Sequence, residues 1–280
     1  MNSQKILNFD QVTGICLGHA YIGQPYMSVF CYLVDGLLID TSASNNRRAL
    51  INVLQGRQIE HVALTHYHED HAGNAAYLHQ TFGLEVFGHA YTSEKLSKPV
   101  HLKPYERILF GTLESLTISP LPKILETPKF KFSHVHTPGH SADHVVFLEK
   151  DQGWIFSGDM FLGPRVKYFR SDECLYSTIC SLQKIVELDF DKLFCGHNPQ
   201  MKNAKAMIIK KRDHLMEVYL QSAELVQQGA SKAEVVQRLT NGKEQHWVKL
   251  FTLGDVSYKN MVLSAIASIE RGESLGHGFN

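Results

Sequence analysis

Short apolar runs separated by polar turns cover the first 200 residues, and this pattern predicts strands interspersed with helices. The apolar runs 29–34 and 37–39 flank Asp35-Gly36, a pair that favours the positive backbone dihedrals of a tight turn. We therefore expect a β-hairpin there. A short apolar strand is predicted at 61–64, directly before a polar, histidine-rich segment.

The middle of the chain repeats this alternation. Strands are predicted at 132–136, 144–149 and 192–195, and within GWIFSGD (153–159), which ends in a polar turn. A helix at 174–188 is indicated by apolar residues that recur at spacings of four, three and four. Strands mixed with helices, with polar residues at the strand ends, are typical of an α/β or α+β sandwich of layers.

The pattern changes to helical spacing after about residue 201. A long helix is predicted over 202–228, a capping box at Ser231 and Glu234 begins a second helix, and a third contains Val262 and Ile266. We therefore expect a main domain over residues 1–201 and a C-terminal helical extension over residues 202–280.

Composition narrows the class of protein. Apolar residues make up 44% of the 280 residues, which excludes a disordered chain, and 28 basic residues balance 28 acidic ones. Zero net charge gives no support to a strongly basic, polyanion-binding surface. No apolar run is long enough for a membrane span, no export signal is recognisable, and five scattered cysteines lack a CxxC pair. We expect a cytoplasmic protein with free thiols.

The strongest chemical signal is the segment from Thr65 to His71, which contains His-x-His-x-Asp-His immediately after a predicted strand. Nitrogen and oxygen donors at this spacing suit zinc or a similar borderline metal. Three later strand ends each add a donor: His140, Asp159 and His197. Considered alone, His140 would be interpreted as a structural histidine, Asp159 as a turn carboxylate and His197 as a loop histidine. Four strand ends that all deliver ligand-type residues indicate a metal site.

The order HxHxDH, GH, SGD and GH resembles the metallo-β-lactamase-fold hydrolase superfamily, which includes glyoxalase II, lactonases, the zinc β-lactamases and several nucleases. The resemblance covers roughly residues 10–200. It implies an α+β fold, the four-layer αββα sandwich, with the helical extension added at the C-terminus. It also implies two bound divalent metal ions, for which Zn²⁺ is the expected metal and Mn or Fe are alternatives.

In the family pattern the first ion is bound by His66, His68 and His140, and the second by Asp70, His71 and His197. Asp159 bridges the two, and Asp70 and Asp159 are the expected catalytic carboxylates. A carboxylate at Asp159 argues against zinc β-lactamase activity, and His68 stands where flavodiiron proteins normally carry glutamate.

The resemblance implies a dinuclear hydrolase that uses a metal-bound hydroxide on a thioester or lactone. Two cations about 3.5–4 Å apart lower the pKa of a water to near neutrality. A phosphodiesterase or ribonuclease is the alternative, since the C-terminal helices look like those of endoribonuclease-like relatives with a winged-helix-like end. A non-catalytic metal-binding or diiron redox module is the third interpretation. The expected partner is a small-molecule substrate, with nucleic acid less favoured, no membrane, and the oligomeric state open.

Several further residues have two interpretations each. His144 either supports the ligand His140 through a hydrogen bond or packs structurally, and Cys195 is expected in the core. Tyr21, Tyr26 and Met27, in a glycine-rich loop, either contact substrate or pack under the loop. The basic residues of 161–170 either receive an anionic substrate group or form a solvated surface.

Overall fold

The structure is a computed structural model that describes residues 2–21 and 23–275. The chain forms two compact units, each described separately below. The first comprises Met1–His136, Asp143–Asp159 and Phe190–Lys202, and the second comprises Thr137–Ala142, Met160–Asp189 and Asn203–Asn280. The predicted division at residue 201 stays a prediction about domain organisation.

Seven strands in chain order form the first sheet of the first unit. Strands β1 to β4 pair antiparallel and β4 to β7 pair parallel. Their bounds are β1 Asn2–Phe9, β2 Val12–His19, β3 Ser28–Val34, β4 Leu37–Ile39, β5 His61–Ala63, β6 Glu85–Gly88 and β7 Ser119–Pro120.

The hairpin predicted in this sheet is confirmed as the β3–β4 connection. Asp35 and Gly36 have φ of 47° and 86°, the positive values that its two-residue turn requires. Strand β3 is buried on both faces: Phe30 and Tyr32 lie in the core between the two sheets, while Cys31 points to the opposite face, into the core under the helices.

The second sheet has the order β12-β11-β10-β9-β8, antiparallel except for the parallel pair β11 and β12. Its strands are β8 Ile124–Glu126, β9 Lys131–His136, β10 Val145–Glu149, β11 Trp154–Gly158 and β12 Lys192–Cys195. The two sheets bury an aromatic core between them, in which Tyr32 meets Phe156 and Phe194 at ring-centroid distances of 5.6 and 5.4 Å.

Helices cover the other face of the first sheet, where Leu50, Leu78 and Leu96 pack on Leu38 and Val62. They are the 3₁₀ turn Ser44–Asn46, α1 Arg47–Leu54, α2 Glu69–Ala72, α3 Ala75–Phe82, α4 Ala90–Leu96 and α5 Pro104–Phe110. The last two were not predicted, because seven-residue helices give too few repeats of the apolar period to be recognised.

The second unit is helical, with α6 Leu175–Glu187, α7 Ala204–Gln227, α8 Lys232–Thr240, α9 His246–Phe251 and α10 Tyr258–Glu270. The predicted capping box is confirmed, since the Ser231 hydroxyl accepts from Glu234 N and the Glu234 carboxylate accepts from Ser231 N. The short helix α9 was missed. None of the described helices combines the length and apolar character that crossing a membrane requires.

Four strand ends of the first unit lie at the same edge of the sandwich, and each places a polar segment there. Asp40 follows β4, the segment Thr65–His71 follows β5, Asp159 follows β11, and His197 follows β12 by one glycine. Carboxyl ends of parallel strands are the usual position of functional side chains in mixed sheets. All five cysteines are free thiols, as predicted.

Candidate metal centre

The segment after β5 is held rigidly by main-chain and side-chain hydrogen bonds. Thr65 N donates to Asp40 Oδ1 at 2.8 Å, and Thr65 O accepts from Val145 N at 2.8 Å. Helix α2 begins within the segment and buries Asp70 and His71. The donors of this loop therefore have fixed positions before any ligand binds.

Asp40 is the central carboxylate of the site, and the sequence analysis missed it. It is 3% exposed, has φ of 60°, and its Oδ2 lies 2.8 Å from His71 Nδ1 and 2.9 Å from Thr65 Oγ1. Thr65 Oγ1 in turn lies 2.9 Å from His66 Nδ1. One carboxylate thus orients His71 directly and His66 through a hydroxyl, as carboxylates behind metal-binding imidazoles do.

His66 and His68 face each other across the loop. His66 Nε2 lies 3.1 Å from His68 Nδ1, and both side chains are buried. Two nitrogens each about 2.0–2.1 Å from a shared tetrahedral ion stand about 3.3 Å apart. The pair therefore has the separation of two ligands of one metal ion.

A second group brings Asp70, His71, Asp159 and His197 together, each with one ligand atom within 4.8 Å of the others. Asp159 Oδ1 lies 3.1 Å from His71 Nε2 and 3.4 Å from His197 Nε2. Asp70 Oδ2 lies 3.8 and 3.7 Å from the same two nitrogens. Two carboxylates and two imidazoles converge here from three strand ends.

The orientation of His197 is set by the main chain. Its Nδ1 lies 2.8 Å from Ser28 O, and Phe30 N donates to Gly196 O at 2.7 Å. These contacts join the end of β12 to the start of β3. As a result, the Nε2 atom of His197 is directed at Asp159.

Two glycines allow this close approach. A Cβ on Gly196 would lie 2.4 Å from Asp159 Oδ1 and 2.8 Å from His71 Cε1. A Cβ on Gly158, which has φ of 45°, would lie 2.6 Å from Thr65 Oγ1. The glycines of the SGD and CGH motifs are therefore required by packing around the ligand-type residues.

The electrostatics favour positive charge at this position. Burial alone would lower the pKa of His71, but the carboxylates of Asp159, Asp70 and Asp40 outweigh it and hold that pKa well above its ordinary value. The pKa of His197 is raised in the same way, against burial, by Asp159 and Asp70. Burial opposes ionisation of Asp159, yet His197 and His71 hold its pKa well below the usual range.

These features fit a divalent metal ion. The Nε2 atoms of His71 and His197 are buried. Although both lie near Asp159 Oδ1, neither forms a hydrogen bond of good geometry within the described part of the chain. A cluster of three carboxylates, counting Asp40, stabilises a cation at the point where both nitrogens converge. Imidazole nitrogens with carboxylate oxygens are the donor set of zinc and related metals.

His140 belongs to the second unit, in the turn Thr137–Ala142. Its Nδ1 lies 3.5 Å from Glu173 Oε1, and Cys174 N donates to Gly139 O at 2.8 Å within the same unit. A Cβ on Gly139 would lie 2.5 Å from Thr178 N, so the turn is packed closely on α6. Its role as a ligand stays a prediction.

The secondary candidates have different environments. His144 is fully buried, and its ring lies 5.1 Å from that of His66, measured between centroids. Cys195 is fully buried, as predicted for a core residue. Tyr21 and Tyr26 are 70% and 62% exposed. Arg170 pairs with Asp172 at 3.3 Å within the second unit. A role in substrate binding for these tyrosines and for the basic residues of 161–170 stays a prediction.

Residues 25–197 of the chain match the family described as the metallo-beta-lactamase superfamily. The chain is 30% identical over 175 residues to a beta-lactamase-like protein 2 homolog from Drosophila melanogaster, covering 58% of this chain and 54% of that protein. It is 33% identical over 145 residues to hydroxyacylglutathione hydrolase GloC from Haemophilus influenzae, covering 48% of this chain and 66% of that enzyme.

An atrochrysone carboxyl ACP thioesterase from Passalora fulva is 28% identical over 185 residues, which cover 64% of this chain and 49% of that enzyme. The chain spans about half to two thirds of the length of these curated relatives. A solved structure, a metallo-beta-lactamase family protein from Thermus thermophilus, has a TM-score of 0.68 at 18% identity and covers 96% of both chains.

Proposed function

The chain belongs to the metallo-beta-lactamase superfamily, as its motifs predicted, and on that premise we propose that it is a metal-dependent hydrolase that cleaves thioesters. The predicted fold, α+β with C-terminal helices, is confirmed. The observation that carries the proposal is the buried group of Asp70, His71, Asp159 and His197, in which carboxylates and imidazoles converge on one point.

Thioesters are favoured because two relatives act on them by name. Hydroxyacylglutathione is an acyl thioester of glutathione, and an ACP thioesterase cleaves the thioester that joins an acyl group to its carrier. A lactone presents a carbonyl of similar reactivity and belongs to the same test. The neutral net charge of the chain gives no support to the phosphodiesterase alternative.

His66 and His68 would hold one ion, to which the sequence motif also assigns His140, while Asp70, His71 and His197 would hold the other. Asp159 Oδ1 lies between His71 and His197 and would bind the second ion, and the sequence motif assigns Asp159 to the first ion as well. Bound divalent ions supply Lewis acidity that polarises the substrate carbonyl and lowers the pKa of water towards neutrality.

The chain itself supplies fixed geometry and charge. Asp40 accepts the Nδ1 proton of His71, and this hydrogen bond selects the tautomer in which Nε2 is the donor atom for a metal. The low pKa of Asp159 keeps its carboxylate ionised at neutral pH. No reorganisation of these groups is needed during the reaction, which is the condition for effective electrostatic stabilisation.

The test is a substrate panel with the metal-loaded protein. Protein stripped with chelator and reloaded with Zn²⁺ or Mn²⁺ is expected to bind two equivalents by elemental analysis and to hydrolyse a hydroxyacylglutathione thioester. The panel also contains a lactone, bis-p-nitrophenyl phosphate and a short RNA. Turnover of the last two alone would overturn the proposal in favour of a phosphodiesterase, and less than one equivalent of metal would overturn the metal site.

A further inference from the structure

Three aromatic side chains form a second cluster in the first unit, apart from the metal-ligand groups. The rings of His89 and His136 stack with centroids 4.3 Å apart and an interplanar angle of 10°. The ring of Tyr91 lies 5.2 Å from His89 and 6.4 Å from His136. We call this group the aromatic cluster.

The aromatic cluster is accessible to solvent. Tyr91 is 51% exposed, and the two histidines are partly exposed. Burial lowers the pKa of His89, and the neighbouring ring of His136 lowers it further. A neutral imidazole beside a phenol ring presents an aromatic surface rather than a cationic one.

The cluster lacks the geometry of a metal site. His134 lies on β9 two residues before His136, so the two side chains share one face of the strand. However, His89, His134 and His136 do not bring three donor atoms within 4.8 Å of one another, unlike the four residues of the metal centre.

A buried carboxylate joins the aromatic cluster to the metal centre. Asp143, 1% exposed, accepts hydrogen bonds through Oδ2 from Tyr67 N at 2.8 Å and from Thr92 Oγ1 at 2.7 Å. Tyr67 lies between the ligand-type residues His66 and His68, and Thr92 follows Tyr91 on α4. The position of the aromatic cluster is therefore fixed relative to the ligand loop.

Side-chain contacts also bring helix α4 next to the ligand loop. The ring of Tyr67 lies 4.8 Å from that of His68, and Lys95 Nζ lies 5.8 Å from the centre of the Tyr67 ring. Lys95 follows Tyr91 by one turn of α4, so both side chains lie on the same side of that helix. Tyr67 is therefore a neighbour of the ligand-type residue His68 on one side and of helix α4, which carries Tyr91, on the other.

We propose that the aromatic cluster of Tyr91, His89 and His136 binds the acyl group of the substrate, and that this acyl group is planar and aromatic. The inference rests on the proposed thioesterase function and specifies its substrate class. Flat rings gain offset-stacked or edge-to-face contacts with the cluster, and an alkyl group of equal size gains only burial.

The test uses two thioesters of one thiol, benzoyl- and cyclohexanecarbonyl-N-acetylcysteamine, whose acyl groups match in size and differ in planarity. Tyr91→Ala is expected to raise KM for the benzoyl ester about 2- to 12-fold more than KM for the cyclohexane ester, which loses only burial, with kcat little changed for either. Tyr91→Phe keeps the ring and is expected to behave as the wild type. Phe82→Ala, which removes a 54% exposed aromatic side chain from α3, is the matched control.

A binding measurement separates this inference from the proposed function. The thioethers S-benzyl- and S-cyclohexylmethyl-N-acetylcysteamine cannot be hydrolysed, and calorimetry reads their affinity whether or not any thioester is turned over. A benzyl preference that Tyr91→Ala removes supports the inference, even if the catalytic proposal fails. Equal affinity for the two thioethers in the wild type, or an unchanged benzyl preference in Tyr91→Ala, would overturn it.

Discussion

His71 and His197 occupy equivalent positions on the two sides of the metal centre but are oriented by different kinds of group. Each Nδ1 lies 2.8 Å from an oxygen, which belongs to the Asp40 carboxylate for His71 and to the Ser28 main-chain carbonyl for His197. Each Nε2 is directed at Asp159 Oδ1. The two sides therefore share geometry and differ in charge.

This difference separates positioning from electrostatic tuning. A carbonyl fixes the ring and its tautomer, whereas a carboxylate also adds a negative charge that favours the cationic form of the imidazole. Accordingly Asp40 contributes to the raised pKa of His71, while for His197 the raising charges are Asp159 and Asp70. Mutation can remove the carboxylate on the first side, but the carbonyl on the second side remains in every variant.

The largest effect is expected where the two sides meet, at Asp159. Asp159→Ala removes the oxygen that faces both Nε2 atoms, so activity is expected to fall by about 10³-fold or more and one metal equivalent to be lost. The fold is expected to persist, because the carboxylate lies at a strand end and not in the core. Steady-state kinetics and elemental analysis on the same sample measure both effects.

The exposed Asp151, in the turn before β11, gives a matched control: Asp151→Ala removes a carboxylate from the same hairpin and is expected to change neither quantity. Wild-type turnover in Asp159→Ala, with full metal content, would show that the two sides function independently of this carboxylate.

The same comparison shows what the sequence predicts well. The residues of HxHxDH were singled out because their spacing is visible in the chain, and their role as metal ligands stays a prediction. Strand β3 was predicted because a short apolar run that ends at turn residues is typical of a buried strand. Asp40 was missed although it carries the same signal as Asp159, a carboxylate directly after an apolar strand. A single such residue has no repeated spacing, and only the folded chain brings it to His71.

Other features have no sequence signal at all. The carbonyl of Ser28 is a main-chain group that every residue carries, so its contact with His197 depends on how β3 meets β12. Asp143 likewise gains its role only when Tyr67 and Thr92 converge on it. The short helices α4, α5 and α9 form because tertiary contacts stabilise them, since helices of this length are marginal alone.

The next largest effect is expected on the carboxylate side alone. Asp40→Ala is expected to weaken metal binding by about 10- to 100-fold, because His71 and Thr65 lose their common acceptor. Asp40→Asn keeps one acceptor oxygen and is expected to lose less. Competition with a chromogenic chelator measures the affinity, and Asp10→Asn, at an exposed carboxylate, is the control. Equal affinity in Asp40→Ala and the wild type would remove the distinction between the sides.

A smaller effect is expected on the pH dependence of stability in the metal-free protein. The folded-state pKa values of His71 and His197 both lie above the unfolded values, so the stabilising protonation of each ring is fully present below about pH 6.5 and is lost as pH rises through its folded pKa. The depressed pKa of Asp159 acts in the acid range and leaves this window unaffected.

Urea denaturation in excess chelator between pH 6 and 9 measures this loss. In Asp40→Asn the loss is expected to end at lower pH, because one of the charges that raise the pKa of His71 is gone. A wild-type midpoint that does not fall over this range, or a profile identical in the variant, would show that Asp40 does not tune His71.

The smallest effect is expected for Ser28→Ala, although Ser28 supplies the acceptor for His197. The accepting atom is the main-chain oxygen, which alanine retains, and the Ser28 hydroxyl lies 3.3 Å from the hydroxyl of Ser3. Metal affinity is therefore expected to stay within about twofold of the wild type, and the free energy of unfolding to fall by about 1 kcal/mol or less. The same chelator competition measures the metal affinity of Ser28→Ala in parallel with that of Asp40→Ala. A tenfold loss in Ser28→Ala would mean that a side chain orients His197 too, and that the two sides of the centre are built alike.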